Sequence, residues 1–458
     1  MSTETTSTPS TLPDYIASAQ PNPQTNRAPW FKNTAPTYAG IFLWFAFWDP
    51  ISQNGLTQAG LLASLLGIVI AGLICHYLFY LIPGLLGQKT GLPLYVAGTS
   101  TFGTIGGLLM PGFLMGLLQF GWLGVNTFFS SQALADGFHA PVLFYPLCVL
   151  WAAAAAFVGL KGIQYVAKVA TYLPVIPLLV LLLGLVLFGG SALSFTPTAA
   201  SESAGGGTIG GLLMMIGAIV GFFATAGAAG VDFGMNSVDD KDVQKGGLVG
   251  IVAAVILTAG ISVITVAGAR ASGAITNATL KPEMMTTALS LKLPSSLYAI
   301  IMIGLTLAAF PGACFSSFIA ANSFKTVMPK VNPFVSVGIG AIVSMILALT
   351  RVAENLPSYF NIIGASFGPI CGAMAADYLL AGRRWSGPRA GFNPAGWIAW
   401  ALGFLVGLMP ELHKLIPAIY PIPAAPVAAF IVGFAVYFGC AKAGLLTPVV
   451  PMPNRIDA

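Results

Sequence analysis

Continuous apolar runs, longer than any water-soluble core needs, constrain this chain more than any other feature. The stretches 56–82, 169–190 and 246–269 are each long enough to exceed the ~20 residues that carry a helix across ~30 Å of hydrocarbon. Only 7% of the residues are charged and 56% are hydrophobic, whereas a water-facing domain carries about 25% charged residues. The solvent is therefore lipid. A membrane β-barrel alternates polar and apolar residues over segments of about ten, and these runs do not alternate. The pattern predicts an all-α membrane protein of about twelve helices, near 37–54, 58–86, 104–134, 141–160, 164–189, 209–235, 246–269, 295–324, 332–350, 357–381, 393–410 and 421–441.

Residues 1–36 are rich in Ser, Thr, Pro and Asn and lack the basic start and cleavage site of a signal peptide. They are expected to be a disordered cytoplasmic tail, with 443–458 as a second tail. Cys75, Cys148, Cys314, Cys371 and Cys440 stand singly in apolar surroundings, so they read as packing residues rather than disulfides or metal ligands. An N-terminus inside the cell places Arg27, Lys32, Lys89, Lys161, Lys168, Lys241, Arg383, Arg384 and most other basic residues in the cytoplasm. Only Arg270, Lys281, Lys292, Arg351 and Lys414 are left outside. The positive-inside rule then puts both termini in the cytoplasm of a multi-pass inner or plasma membrane protein. The net charge of +5 is thus topological. No basic cluster interleaved with aromatics suggests a nucleic acid partner, and no obligate protein partner is evident.

A break in a spanning helix exposes backbone groups that something must bind or bury. Trp48-Asp49-Pro50-Ile51-Ser52-Gln53-Asn54-Gly55 interrupts the first span, and Thr225-Ala226-Gly227-Ala228-Ala229-Gly230 weakens the sixth. Two breaks five helices apart are what inverted five-helix repeats give, here 37–190 and 207–382, followed by two further helices at 393–442. That arrangement puts sites at the half-helix ends near the midplane and reads as a secondary transporter. The same small residues would also serve close helix packing.

On the third helix, Gln119, Trp122 and Asn126 follow i, i+3, i+7 spacing and share one stripe. A planar ring could stack on the indole while the amides, both donors and acceptors, read its edge. Packing of the indole, with helix-to-helix bonds from the amides, is the other reading.

Gln119-Phe120-Gly121-Trp122-Leu123-Gly124-Val125 resembles the third-helix motif of the purine–cytosine permease family, the nucleobase:cation symporter-1 group that includes cytosine and hydantoin permeases. Three further stretches resemble it in order: Lys89-Thr90-Gly91-Leu92; Val220-Gly221-Phe222-Phe223-Ala224-Thr225-Ala226-Gly227 with Val231-Asp232-Phe233; and Ala376-Asp377-Tyr378-Leu379 before Arg383-Arg384. The resemblance implies a leucine-transporter-type fold of five-plus-five inverted helices and two C-terminal helices. It also implies that Trp122 stacks on a base, that Phe223 closes the other face, and that Asn126 and Thr225 contact the substrate. On helix eight, Ala313, Ser316 and Ser317 would help hold sodium, with Asn322 facing substrate. A register without a gap would instead put Ala309 and Phe310 at the hydroxyl positions. The first helix departs from the family at Trp48-Asp49-Pro50, which leaves a proton carried by Asp49 as the alternative to Na+.

An acid at membrane depth is expensive, so Asp49 is a functional candidate unless it sits at the outer interface. His76 lies among aromatics and reads as a packing histidine before a proton relay. Asp232 and Asp377 fall near the inner ends of their spans, where salt bridging or gating is expected, for Asp377 beside Arg383 and Arg384. The expectation is cation-coupled import of a nucleobase such as cytosine or a purine, or of a related planar heterocycle, by alternating access. An amino-acid or vitamin-precursor transporter on the same scaffold is the alternative. An enzyme would need a nucleophile with its base or a metal cluster, and His76, His139 and His413 lie too far apart in sequence to form one. No filter motif suggests a channel.

Overall fold

The structure is a computed structural model that describes residues 12–161, 163–170, 172–197, 207–275 and 284–452, without the side chains at 49–50, 52–54, 163, 165, 167, 169 and 284. Among the described residues it is helical, with isolated β-bridges and no strand. Nine of these helices are long and apolar enough to cross a membrane; a pair bent by 52°, Pro394–Gly407 with Met409–Leu415, makes a tenth, and Pro333–Leu349 is a shorter apolar helix.

The chain enters as α1 (Thr34–Phe42) and breaks at Leu43 and Trp44 before α2 (Phe45–Ile74). Gly60, at φ +74°, turns the path within α2 and separates its first part from a long second limb. That limb runs through a π-turn, Cys75–Tyr80, into α3 (Leu81–Thr90), closed by Gly91 in the left-handed region at φ 66°. Another π-turn, Leu108–Phe113, contains Pro111, whose missing N–H suits the widened turn, and leads into α4 (Leu114–Gly137). There follow α5 (Phe144–Lys161), α6 (Ile163–Ala170), α7 (Val175–Phe188), α8 (Thr208–Ala228) and the one-turn α9 (Gly230–Gly234). Then come α10 (Asp240–Gly247), α11 (Ala254–Ala271), α12 (Met284–Ser290), α13 (Ser295–Val327) and α14 (Pro333–Leu349). The last are α15 (Leu356–Leu380), α16 (Pro394–Gly407), α17 (Met409–Leu415) and α18 (Ala425–Lys442). Proline is the first residue of α14 and α16, where its missing N–H costs nothing.

These helices sort into two packed groups. One joins α1, α2 and α3 to α8, α9, α10 and α11; the other joins α4, α5, α13 and α14, while α15 lies against α8, α16 and α18. Small residues set the closest approaches, as expected where lipid supplies no hydrophobic drive between helices. A Cβ on Gly87 would stand 1.9 Å from the Val231 carbonyl oxygen, and one on Gly234 would stand 2.1 Å from that of Gly84. Thus α3 and α9 meet main chain to main chain.

The first break falls elsewhere than the sequence suggested, and the second falls within the Thr225–Gly230 run. The backbone is helical from Phe45 through the Trp48–Gly55 stretch, and the interruption lies earlier, at Leu43 and Trp44. Pro50, in the second turn of α2, lacks the N–H that would bond the Ala46 carbonyl, yet the backbone stays helical across it. The side chain of Asp49 lies outside the described residues, so its expected role finds no geometry here. On the second side, α8 runs unbroken through Thr225 to Ala228, and the interruption comes at Ala229.

The tail expected to be disordered over 1–36 is folded from Leu12 onward, residues 1–11 lying outside the described set. Ile16 is fully buried. The Tyr15 hydroxyl donates to the Thr104 carbonyl, and the Asn22 amide donates to Asn236 Oδ1 at 2.9 Å. Arg27 donates to the Gln88 carbonyl at 2.7 Å. Two apolar anchors and a set of side chains that satisfy loop carbonyls are enough to hold an otherwise polar segment.

Candidate functional site

Residues from α4, α8, α15 and the α1–α2 break meet where the two packed groups face each other. Trp122 of α4 presents its indole to Phe222 of α8 (centroids 5.4 Å apart, planes at 89°), to Tyr359 of α15 (5.1 Å, 83°) and to Trp44 (6.0 Å, 76°). Trp44 lies nearly parallel to Phe222, 13° between planes at 6.4 Å, and Phe360 meets Phe222 edge-on at 5.3 Å. Edge-to-face pairs of this spacing are favourable beyond their buried area. The Trp122 Nε1–H donates to Thr225 Oγ1 at 3.4 Å, tying α4 to α8.

Glycines admit this cluster. A Cβ on Gly121 would stand 2.4 Å from the Tyr359 hydroxyl oxygen, and one on Gly221 would stand 2.6 Å from the Phe360 carbonyl oxygen. Adjacent residues of α15 therefore seat one on α4 and the other on α8. The Tyr359 hydroxyl completes the seat by donating to the Leu118 carbonyl at 2.7 Å.

Trp122 and Thr225 come together as the sequence suggested, and the other candidates disperse. Phe223 is turned away from Trp122: its ring stacks on Phe42 of α1 (5.8 Å, 12°) and touches Tyr38. Consecutive helical residues point about 100° apart, so only one of the Phe222–Phe223 pair can face α4. Phe222, three residues before Thr225, shares its face; that spacing was the signal for Phe222. Gln119 is buried on the Trp122 stripe, and its amide donates to Met115 Sδ at 3.6 Å, a weak acceptor.

Asn126 is engaged by protein on both ends of its amide. Nδ2 donates to the Ala309 carbonyl at 3.2 Å, while Oδ1 accepts from Trp151 Nε1 at 3.1 Å and Ser130 Oγ at 3.2 Å. It works as a junction between α4, α5 and α13. Asn322 is exposed, and its carbonyl oxygen accepts from Thr326 Oγ1 at 2.9 Å, a turn further along α13. It stands more than three turns of helix from Ala309, which is the α13 residue level with Asn126.

Ala313, Ser316 and Ser317 share a face of α13. Ala313 packs with Leu123, Ala155, Val166 and Cys314; Ser317 donates to the Ala313 carbonyl at 3.3 Å and would meet a Cβ on Gly159 of α5. A hard cation needs several converging oxygens; Ala313 packs in an apolar cluster, and the Ser317 hydroxyl is turned to its own helix.

Asp377 and Asp232 have structural partners. Asp377 accepts from the Tyr437 hydroxyl at 2.8 Å and pairs with Arg389 at 3.4 Å, rather than with Arg383 or Arg384. Asp232 Oδ1 accepts from the Leu94 amide at 2.9 Å. His76 is buried in the Cys75–Tyr80 π-turn against Tyr77 and Tyr80. All five cysteines are free thiols, four of them buried.

The fold is that of solved transporters. Mhp1, a nucleobase-cation-symport-1 family transporter, matches in a closed conformation with bromovinylhydantoin bound at a TM-score of 0.64 and 17% identity, covering 95% of this chain and 97% of that one. Its inward-facing form matches at 0.66 and 18%, covering 95% and 98%. A Na+-coupled sialic acid symporter in a substrate-bound outward-open state matches at 0.59 and 13%, covering 96% and 95%. No curated protein matches in sequence. Residues 21–433 match the family described as permeases for cytosine/purines, uracil, thiamine and allantoin. With that match over most of its length and the Trp122–Phe222–Thr225 cluster at its centre, the chain belongs to this family of membrane permeases, which are transporters and not enzymes.

Proposed function

We propose that the chain imports a nucleobase or related planar heterocycle across a cytoplasmic membrane by alternating access. Both termini lie in the cytoplasm on this reading, the orientation that the positive-inside rule favours. The helices to α15 act as two inverted sets of five, with α16 to α18 added. The observation that carries the reading is the aromatic cluster itself: Trp44, Trp122, Phe222, Tyr359 and Phe360 gather at the contact between two helix groups. Aromatic faces suit a flat ring, and stacking on one is worth about 1–3 kcal/mol per base where it has been measured.

An amino acid or vitamin precursor is the other solute class this scaffold could take, and a carboxylate would ask for an exposed helix N-terminus rather than five rings. Rocking of one helix group against the other would open the Trp122–Phe222 contact to one side of the membrane and then the other. Transport would be driven by a cation, Na+ or H+. A Na+-coupled symporter shares the fold, while Ala313, Ser316 and Ser317 as arranged here leave the ion's own site unassigned.

A thermal-shift screen of purified protein against nucleobases and amino acids, with and without sodium, tests this reading. A heterocycle is expected to raise the unfolding midpoint, and amino acids are not. Stabilisation by amino acids alone would overturn it.

A further inference from the structure

Six of the eight indole N–H groups have acceptors in the structure. Trp48 donates to the Phe42 carbonyl, Trp122 to Thr225, Trp151 to Asn126, Trp385 to the Ala97 carbonyl, Trp397 to that of Phe102 and Trp400 to that of Ser366. Trp44 differs. Its Nε1 is buried and has no hydrogen-bond partner among the described residues. A buried donor left unpaired is destabilising and uncommon, so its position asks for an explanation.

The position is telling. Trp44 is the residue at which the first span is interrupted, with φ −69° and ψ 121° between α1 and α2, and its ring stands beside Trp122, Phe129 and Phe222. Within the cluster, the Trp122 N–H is taken by Thr225 and the Asn126 amide by Ala309, Trp151 and Ser130. The unmet donor is the one at the helix break. Its N–H lies in the indole plane, within 13° of the Phe222 ring, so a flat molecule lying in that plane beside Trp44 would meet it edge-on. The lone pairs of a ring carbonyl lie in the ring plane, where such a donor reaches them.

We infer that Trp44 is a specificity-determining residue that donates its indole N–H to a carbonyl oxygen of the transported ring. The substrate class is narrowed to planar heterocycles that carry a ring carbonyl, such as oxopyrimidines and oxopurines. The inference rests on the heterocycle reading above. It differs from it in assigning recognition of the ring edge to the α1–α2 break rather than to the α4 amides.

The test is equilibrium binding of uracil, cytosine and hypoxanthine to the purified full-length protein. Wild type is compared with Trp44→Phe, which keeps an aromatic ring, and with Trp44→His, which keeps a ring donor. Trp44→Phe is expected to weaken the bound oxo-heterocycle about tenfold, and Trp44→His less, on the scale of one hydrogen bond. Replacing the bound ring's carbonyl oxygen by sulfur, a weak acceptor, is expected to cost wild type about tenfold and Trp44→Phe little, a coupling that loss of packing would not produce. Equal affinity of wild type and Trp44→Phe, or an equal sulfur penalty in both, overturns the role of Trp44 and leaves the heterocycle reading standing. If wild type binds none of the three, the heterocycle reading fails and this inference with it. A Trp44→Phe protein that does not fold moves the comparison to Trp44→His, for which an unchanged sulfur penalty is expected and its loss counts against the assignment.

Discussion

The hydroxyl of Tyr359 occupies the space that a side chain at Gly121 would fill: a Cβ there would stand 2.4 Å from that oxygen. The same hydroxyl donates to the Leu118 carbonyl at 2.7 Å, so the ring cannot shift without breaking a bond that anchors α15 to α4. Gly121→Ala is therefore expected to destabilise the protein by about 1–3 kcal/mol, the usual cost of overpacking. A fall in the thermal unfolding midpoint in detergent checks it, and an unchanged midpoint would mean that α15 is not seated as described.

Thr225 supplies the acceptor for Trp122 at 3.4 Å. Thr225→Val keeps the shape and removes the acceptor, leaving an indole N–H free to turn. Substrate affinity is expected to fall about tenfold, the scale of a single hydrogen bond, and the unfolding midpoint to drop modestly because the donor loses its partner. Binding measured alongside the unfolding midpoint separates the two effects.

Asp377 and Arg389 form a pair in which both side chains are largely buried, 5% and 11% exposed. Arg389 also donates to the Ser100 and Thr447 carbonyls, so the pair ties α15 to the approach to α4 and to the chain beyond α18. Removing one partner leaves the other charge buried, which costs about 3–5 kcal/mol. Asp377→Asn is expected to lower the unfolding midpoint strongly. The Asp377→Asn, Arg389→Gln double variant should lose less than the sum of the single variants, since the coupling is shared.

Arg27 holds the N-terminal segment to α3 by bonding the Gln88 carbonyl at 2.7 Å and the Asn22 carbonyl at 3.1 Å. Arg27→Ala should release the segment, with faster cleavage in 12–33 during limited proteolysis of the folded protein. Unchanged cleavage would show that Ile16 and Tyr15 hold it unaided.

The lipid-spanning architecture was legible because a run of apolar residues longer than a bilayer crossing has no other stable destination. Trp122 and Thr225 were legible too, one from the stripe on its helix and the other from the family motif. What sequence did not give is which way each residue turns. Phe222 and Phe223 are chemically alike, and only the packing of Tyr38 and Phe42 on one side decides that Phe222 faces Trp122. Trp44 and Tyr359 come from segments remote in sequence from Trp122, so no local spacing could unite them. The first break was misplaced because proline was read as its cause. The backbone stays helical across Pro50, and the interruption at Leu43 and Trp44 carries neither glycine nor proline. On α13, the Asn126 amide bonds the Ala309 carbonyl while Asn322 is exposed, a pairing that no local spacing shows.

Uptake of radiolabelled uracil, cytosine and hypoxanthine into proteoliposomes, under an imposed sodium or proton gradient, tests the central claim most directly. The account predicts accumulation of a heterocycle that needs the gradient and is abolished by Trp122→Ala. Accumulation that persists in Trp122→Ala, or that proceeds equally without any gradient, would contradict it.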